Sequence, residues 1–243
     1  IIQNLLSIFK LKLVRISNDF PIEADIEIKK LVNLSSRYSM TGKARMYFLS
    51  QAILNVKKNN LEGDFVECGV WQGGNILLYD LLNKHYNLKK LIFAYDTFEG
   101  MPTPKKIDIN YSGTSAHKLM KITEKINGKN NVHSFADLNL VKKNILKYSN
   151  LNSIRFIEGK VEKTLLNEEN LPKKISILRL DTDFYNSTKK ELEILYPRLV
   201  SGGVCVLDDY GYWKGQRKAV DEYFGDQKWL HIVDQSCRYL IKD

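Results

Sequence analysis

The sequence predicts one α/β domain built on a mostly parallel sheet of seven strands. The chain has 243 residues, of which 44% are hydrophobic and 27% charged, a balance typical of a soluble globular domain and unlike that of a disordered or fibrous protein. Short apolar runs rich in β-branched residues alternate with longer segments of helical periodicity. Most of these runs lack polar alternation, as expected for strands buried on both faces of a parallel sheet.

Five runs are predicted to form parallel strands, and two more are predicted to form a hairpin. The parallel strands are predicted at residues 64–70, 91–95, 154–157, 175–180 and 203–207. The runs at 229–233 and 238–241 are separated by a short polar turn, so we expect them to pair antiparallel at one edge of the sheet.

Two of the helices have clear sequence signals. Apolar residues recur every three or four positions over residues 46–56 and 192–199, which predicts two amphipathic helices that face the sheet. Thr188 and Glu191 have the spacing of a capping box and are predicted to begin the second helix. The run 201–203, Ser-Gly-Gly, is predicted to end it.

The chain is predicted to have an N-terminal helical extension at residues 1–39, followed by the main domain at 40–243. The segment 99–150 is polar and too long for an ordinary crossover between strands, so we interpret it as a lid. The apolar positions of the extension could contact a second copy, which leads us to expect a homodimer or higher homo-oligomer.

Two compositional features bear on the environment of the protein. The apolar run 1–9 is short and soon followed by charged residues, so no membrane span is predicted. The three cysteines are widely spaced and form neither a disulfide framework nor a zinc motif, which favours a cytoplasmic location.

The net charge is +9, from 37 basic and 28 acidic residues. The lysines occur in scattered pairs and are not interleaved with aromatic residues along a stripe, so we expect no nucleic-acid partner. A nucleic-acid-binding module remains a distant alternative, and a small anionic substrate is compatible with the charge.

A glycine motif follows the first strand. Gly69 allows a sharp turn and leaves room for a ligand, while Gly73 and Gly74 allow close approach at the start of a helix. Glu67 could hold an ammonium group, although a structural salt bridge is an equal alternative. An acid before such a turn suits S-adenosylmethionine (SAM), which has an amino-acid tail and no phosphate, better than a dinucleotide.

The end of the second strand extends this predicted cofactor site. Asp96 is placed to accept hydrogen bonds from ribose hydroxyls, with a helix cap as the alternative. Thr97 and Phe98 follow directly and are predicted to bind the cofactor as well.

Four aspartates follow two strands that should be neighbours. Asp181 and Asp183 end the fourth strand, and Asp208 and Asp209 end the fifth. Four carboxylates at one edge of a sheet repel one another unless a cation is present, and oxygen ligands suit Mg²⁺ or Ca²⁺. The sequence therefore predicts a divalent metal site, although one or two of these acids could instead cap the following helices.

These motifs together resemble the TylF-type macrocin O-methyltransferases, SAM-dependent enzymes that methylate sugars. The resemblance covers about residues 40–224 and rests on the segments 40–42 with Arg45, 63–74, 96–102, 181–199, 202–203 and 208–211. It implies a class I SAM-methyltransferase, Rossmann-like fold with Met40 at the cofactor site. It also implies a Mg²⁺ bound by Asp181, Asp208 and Asp209, and a general base at Asp183.

The predicted activity is metal-dependent O-methylation of a sugar hydroxyl. The expected acceptor is a hexose or heptose linked to UDP, GDP or dTDP and destined for a surface polysaccharide, because the basic N-terminal and lid regions could face a diphosphate. A glycosylated natural product such as a macrolide and a catechol-type phenol are the alternatives.

Overall fold

The computed structural model of the chain describes residues 20–127, 134–225 and 229–243. Residues 1–19 of the predicted N-terminal extension lie outside this range. The helices are α1 (Ile26–Ser35), α2 (Lys43–Lys58), α3 (Gly74–His85), α4 (Ala116–Asn127), α5 (Leu138–Leu146), α6 (Val161–Thr164), α7 (Tyr185–Leu195) and α8 (Lys214–Phe224). The strands are β1 (Asp64–Cys68), β2 (Ile92–Asp96), β3 (Ile154–Glu158), β4 (Ile175–Leu180), β5 (Leu199–Leu207), β6 (His231–Ile232) and β7 (Arg238–Ile241).

The seven strands form one sheet in the order β3-β2-β1-β4-β5-β7-β6. Strands β1 to β5 are parallel, whereas β7 pairs antiparallel with β5 and β6 pairs antiparallel with β7. The predicted sheet and its edge hairpin are confirmed. The strand order reverses between β1 and β4, and in such sheets ligands bind beyond the carboxyl ends of the strands at this point.

Two apolar cores cover the two faces of the sheet. On one face, α1, α2, α3 and α5 bury residues such as Val32, Ile53 and Ile76 against the strands. On the other face, α7 and α8 bury Leu192 and Val220. Both predicted amphipathic helices therefore face the sheet as expected. Among the described residues, no helix is both long enough and apolar enough to cross a bilayer.

The boundaries around α7 and β5 differ from the prediction. Helix α7 begins at Tyr185, and Thr188 lies within its first turns, so Thr188 does not cap it. The helix ends at Leu195 in a short 3₁₀ turn, and β5 already begins at Leu199. The glycines at 202–203 therefore lie inside the strand, where Gly202 has a φ of 75° near an irregularity in the β4–β5 register. The glycines allow this bulge and do not end the helix.

The segment 99–150 contains two helices with different surroundings. In α5, Val141 and Ile145 are fully buried, and a Cβ at Gly73 would lie 2.9 Å from Val141. Helix α5 is therefore part of the core. The role of the rest of the segment as a lid stays a prediction.

The loop before α4 is fixed to the opposite side of the sheet by Asp108. This side chain is 1% exposed, and its carboxylate accepts hydrogen bonds from the amides of Lys105 (2.6 Å) and Tyr185 (3.0 Å). A Cβ at position 215 would collide with Asp108 Oδ1, so a glycine is needed there. The loop is thereby docked on the first residues of α7 and α8.

Candidate active site

A cavity of about 530 Å³ lies at the carboxyl ends of β1, β2, β4 and β5. Of the residues predicted from the sequence, it is lined by Met40, Gly69, Asp96, Thr97, Asp181, Asp183, Asp208 and Asp209. Residues that the sequence did not single out also line it, among them Thr41, Trp71, Asn75, Lys160, Tyr212 and Trp213. Four of the predicted cofactor residues and all four predicted aspartates therefore share one cavity.

The glycines of the motif have two different roles. Gly69 lines the cavity with a φ of 92°, and a Cβ there would collide with the carbonyl oxygen of Asp181. Gly73 and Gly74 do not line the cavity, and a Cβ at Gly74 would lie 2.7 Å from the carbonyl oxygen of Ser35. The first glycine shapes the ligand site, whereas the other two allow helices to pack against the start of α3.

Asp96 organises the glycine turn from the neighbouring strand. One carboxylate oxygen accepts hydrogen bonds from the amides of Val70 (2.7 Å) and Trp71 (3.1 Å), and the other accepts from Phe98 (2.9 Å). Asp96 and Thr97 line the cavity, whereas Phe98 is 3% exposed and packs against Phe156. Asp96 therefore binds amides of the glycine turn and of its own loop and does not cap a helix, and it also lines the cavity. Phe98 is a core residue and does not reach the predicted cofactor site.

Glu67 does not reach the cavity either. Its side chain is 1% exposed, its Oε1 accepts from Asn75 Nδ2 at 3.0 Å, and it forms an ion pair with Arg179. Burial raises the pKa of Glu67 to about 7, although Arg179 opposes that shift. Glu67 therefore forms the structural salt bridge rather than the cofactor contact that its position before the glycines suggested.

All four aspartates line the cavity, and three of them form a cluster. One carboxylate oxygen from each of Asp181, Asp208 and Asp209 lies within 4.8 Å of the other two. Burial raises the pKa of Asp181 and of Asp209, and the neighbouring acids raise both further. Three crowded carboxylates that gain from a positive charge are a donor set that fits a hard divalent cation such as Mg²⁺.

The fourth aspartate, Asp183, is set slightly apart. It follows β4 in a left-handed conformation, with a φ of 65°, so its position results from a turn and not from strand alternation. Its carboxyl group hydrogen bonds with that of Asp209 and accepts from the side chain of Trp213. Burial raises the pKa of Asp183 to about 7. Asp183 thus lies beside the three clustered carboxylates without being one of them.

Two arginines to which the sequence reasoning assigned no role hold the acids. Arg179 on β4 pairs with Asp208 at 2.6 Å and with Asp181 at 2.9 Å. Arg45 on α2 also pairs with Asp208, and it reaches Asp234 in the edge hairpin at 2.6 Å. For Arg179 a signal existed, because a charged residue in an otherwise apolar buried strand is unusual.

Comparison with known proteins agrees with this architecture. The macrocin O-methyltransferase (TylF) family model matches residues 24–242. A tetracenomycin rhamnosyl 4'-O-methyltransferase from Streptomyces olivaceus is 32% identical over 79% of this chain and 69% of its own length. Demethyldecarbamoylnovobiocin O-methyltransferase from Streptomyces niveus is 31% identical over 78% of this chain and 68% of its own length.

A solved structure supports the same assignment. The O-methyltransferase NovP superimposes with a TM-score of 0.71 and 28% identity, and the match covers 84% of this chain and 82% of NovP. The parallel sheet with its antiparallel edge hairpin is the class I SAM-methyltransferase fold that NovP shares. The chain belongs to the macrocin O-methyltransferase (TylF) family and is an O-methyltransferase.

Proposed function

We propose that this protein transfers a methyl group from SAM to a hydroxyl of a sugar, with the help of a divalent cation. One observation carries the proposal: Asp181, Asp208 and Asp209 cluster within 4.8 Å in the same cavity that the glycine turn opens into. A methyl donor at the turn and a cation at the acids would therefore be neighbours.

The cofactor would lie on the side of the cavity formed by Met40, Gly69, Asp96 and Thr97. Gly69 leaves space next to the backbone for the amino-acid end of SAM. Asp96 lines the cavity while it binds the amides of the turn. A free lone pair of its carboxylate can therefore still accept a hydrogen bond from a ribose hydroxyl. The sulfonium of SAM supplies a methyl group that leaves as part of a neutral thioether.

The four aspartates would have two different roles in the reaction. Asp181, Asp208 and Asp209 would hold the cation, which lowers the pKa of a bound sugar hydroxyl and fixes its orientation. Asp183 lies beside Asp209 and is free of the arginine pairs, so it is placed to accept the hydroxyl proton. The indole of Trp213 holds Asp183 in this position.

We propose a nucleotide-linked sugar, destined for a surface polysaccharide, as the acceptor. An open groove on α4 is lined by Ser115, His117, Lys118 and Lys121, and it offers positive charge for a diphosphate. The groove begins close to the cavity, because Ala116 packs in one apolar cluster with Trp213. A sugar attached to a natural product is the second candidate, and it is favoured by what the names of the two Streptomyces relatives say those enzymes methylate.

A substrate panel tests the proposal. Methyl transfer from labelled SAM is measured on UDP-, GDP- and dTDP-sugars and on free glycosides, in parallel reactions with Mg²⁺ and with EDTA. We expect turnover of a sugar nucleotide in the reactions with Mg²⁺ and none in the reactions with EDTA. Turnover of glycosides only would move the acceptor to the second candidate, and equal turnover in EDTA would refute the role of the cation.

A further inference from the structure

Arg179 is the charged residue of a strand that is otherwise apolar. It lies on β4, whose sequence is ISILRL and which is buried along its whole length. The side chain is 2% exposed. A fully buried guanidinium is costly unless its charge and its hydrogen-bonding groups are satisfied. The groups that contact the Arg179 guanidinium therefore indicate the role of this residue.

The two terminal nitrogens of Arg179 bind four acceptors. Nη1 pairs with Glu67 and, at 2.9 Å, with Oδ2 of Asp181. Nη2 donates to Oδ1 of Asp208 at 2.6 Å and to Oγ1 of Thr41 at 3.0 Å. The contacts with Glu67, Asp208 and Thr41 are hydrogen bonds and the contact with Asp181 is an ion pair, so each terminal nitrogen has two oxygen neighbours.

Two of these acceptors are residues proposed to bind the cation. Asp181 and Asp208 follow adjacent strands, and each has one carboxylate oxygen bonded to the same planar group. The spacing of the two carboxylates is therefore set by the width of the guanidinium. A lysine ammonium could supply the same charge, but its three hydrogens from one atom cannot reproduce this four-point arrangement.

The remaining two acceptors hold Arg179 itself. Glu67 is its direct partner in the β1–β4 register, and Asn75 donates to Glu67 at 3.0 Å. Thr41 accepts from Arg179 and also from Asn75 at 3.2 Å. The guanidinium is thus held by Glu67 and Thr41 as well as by the aspartates, which gives Glu67 a role that its position before the glycine turn did not suggest.

We propose that Arg179 is a positioning residue of the metal site, which fixes Asp181 and Asp208 at the separation that a divalent cation requires. The proposal rests on the proposed function, because it assumes that these acids bind a cation. A purely electrostatic role predicts no change in metal affinity when arginine is replaced by lysine, since lysine carries the same positive charge. A variant that keeps the charge but loses the planar guanidinium therefore separates the two roles.

The experiment measures Mn²⁺ binding to the full chain by calorimetry and by the loss of the free-ion EPR signal. Arg179→Lys is compared with the wild type and with Arg198→Lys, a matched control at a surface pair with Glu168. We expect Arg179→Lys to bind Mn²⁺ about 10- to 100-fold more weakly, the usual loss when a partner of a metal ligand is changed. We expect the control to match the wild type and the Mg²⁺ concentration for half-maximal activity to rise in parallel.

Three results would overturn the proposal. Equal Mn²⁺ affinity in folded Arg179→Lys would show that Arg179 is only structural or acts only through its charge, which lysine keeps, and tighter binding would show that the guanidinium does not favour the cation-binding geometry. Absence of Mn²⁺ binding to the wild type would overturn the proposed metal site together with this inference, so the two failures are distinguishable.

A second pair of variants applies if Arg179→Lys does not fold. Thr41→Val removes one of the four acceptors, and Thr41→Ser keeps the hydroxyl. Loss of this hydrogen bond from the guanidinium predicts Mn²⁺ binding about 2- to 10-fold weaker in the valine variant than in the serine variant. Equal affinities would overturn the proposal.

Discussion

Replacement of the buried acid Glu191 by glutamine is expected to stabilise the protein increasingly as the pH rises. Glu191 lies on α7 with none of its surface exposed, and both of its carboxylate oxygens lie near the Thr182 hydroxyl, at 2.9 and 3.1 Å. Burial raises the pKa of Glu191 from its ordinary value of 4.5 to about 8, and the negative charge of Glu162 adds to the shift. The native state therefore keeps this proton at pH values where the unfolded chain has lost it.

The sign follows from proton binding. Between pH 4.5 and pH 8 the native state binds more protons than the unfolded state, so the free energy of unfolding falls as the pH rises through this window. The full shift in the pKa of Glu191 corresponds to about 5 kcal/mol in the free energy of unfolding. Of this, about 1 kcal/mol is lost by pH 5 and about 3 kcal/mol by pH 7. Glutamine has the shape of a protonated glutamate and stays neutral at every pH. Glu191→Gln should therefore remove this loss of stability.

Urea denaturation at pH 5, 6, 7 and 8 measures the effect as the difference between variant and wild type. Other titrating groups cancel in this difference. Glu193→Gln is the matched control, because Glu193 lies on the same helix with 41% of its side chain exposed and pairs with Lys190. A stability difference for Glu191→Gln that does not change with pH would refute the reasoning, as would the same pH dependence in the control.

Three further predictions concern the active site. Asp183→Asn should lower kcat about 10²- to 10⁴-fold, the usual contribution of a general base, and leave S-adenosylhomocysteine binding unchanged in calorimetry; a kcat within threefold of the wild type would exclude this role. EDTA should abolish methyl transfer, Mg²⁺ should restore it, and Asp208→Ala should not respond to Mg²⁺ at any concentration; activity of that variant in EDTA would contradict the metal site. Gly69→Ala should weaken both SAM and Mn²⁺ binding, because its Cβ would collide with the backbone of Asp181; normal binding of both ligands would show that the turn can adjust.

The parts of the fold that depend on short-range pattern could be predicted. Strands β1, β2 and β4 were recognisable because they are buried on both faces, and the start of α3 at Gly74 followed from its glycines. The prediction of where β5 begins was wrong. A glycine pair is usual after a helix, whereas Gly202 here allows a bulge within a strand. The capping box was wrong because Thr188 and Glu191 have the right spacing but are both buried inside the helix.

For the site, the sequence located the acids but not their partners. Asp181 and Asp208 were expected to meet because the ends of adjacent parallel strands meet at one edge. Arg45 and Thr41 come from a distant helix and the segment before it, and local pattern does not determine which side chains such elements place at a strand end. For the same reason a structural salt bridge of Glu67 was one option, but its partner Arg179 was not identified.

The docking of Asp108 bears on how this protein could be re-engineered. Its carboxylate ties the loop at 101–115 to the first amide of α7, two residues beyond Asp183, at a point where Gly215 allows the contact. A chimaera that receives this loop from another enzyme should keep its catalytic geometry when the donor loop carries an acid at the matching position. A donor loop that lacks the acid would leave the Tyr185 amide without its acceptor, so its substrate preference could not be transplanted independently of that single attachment.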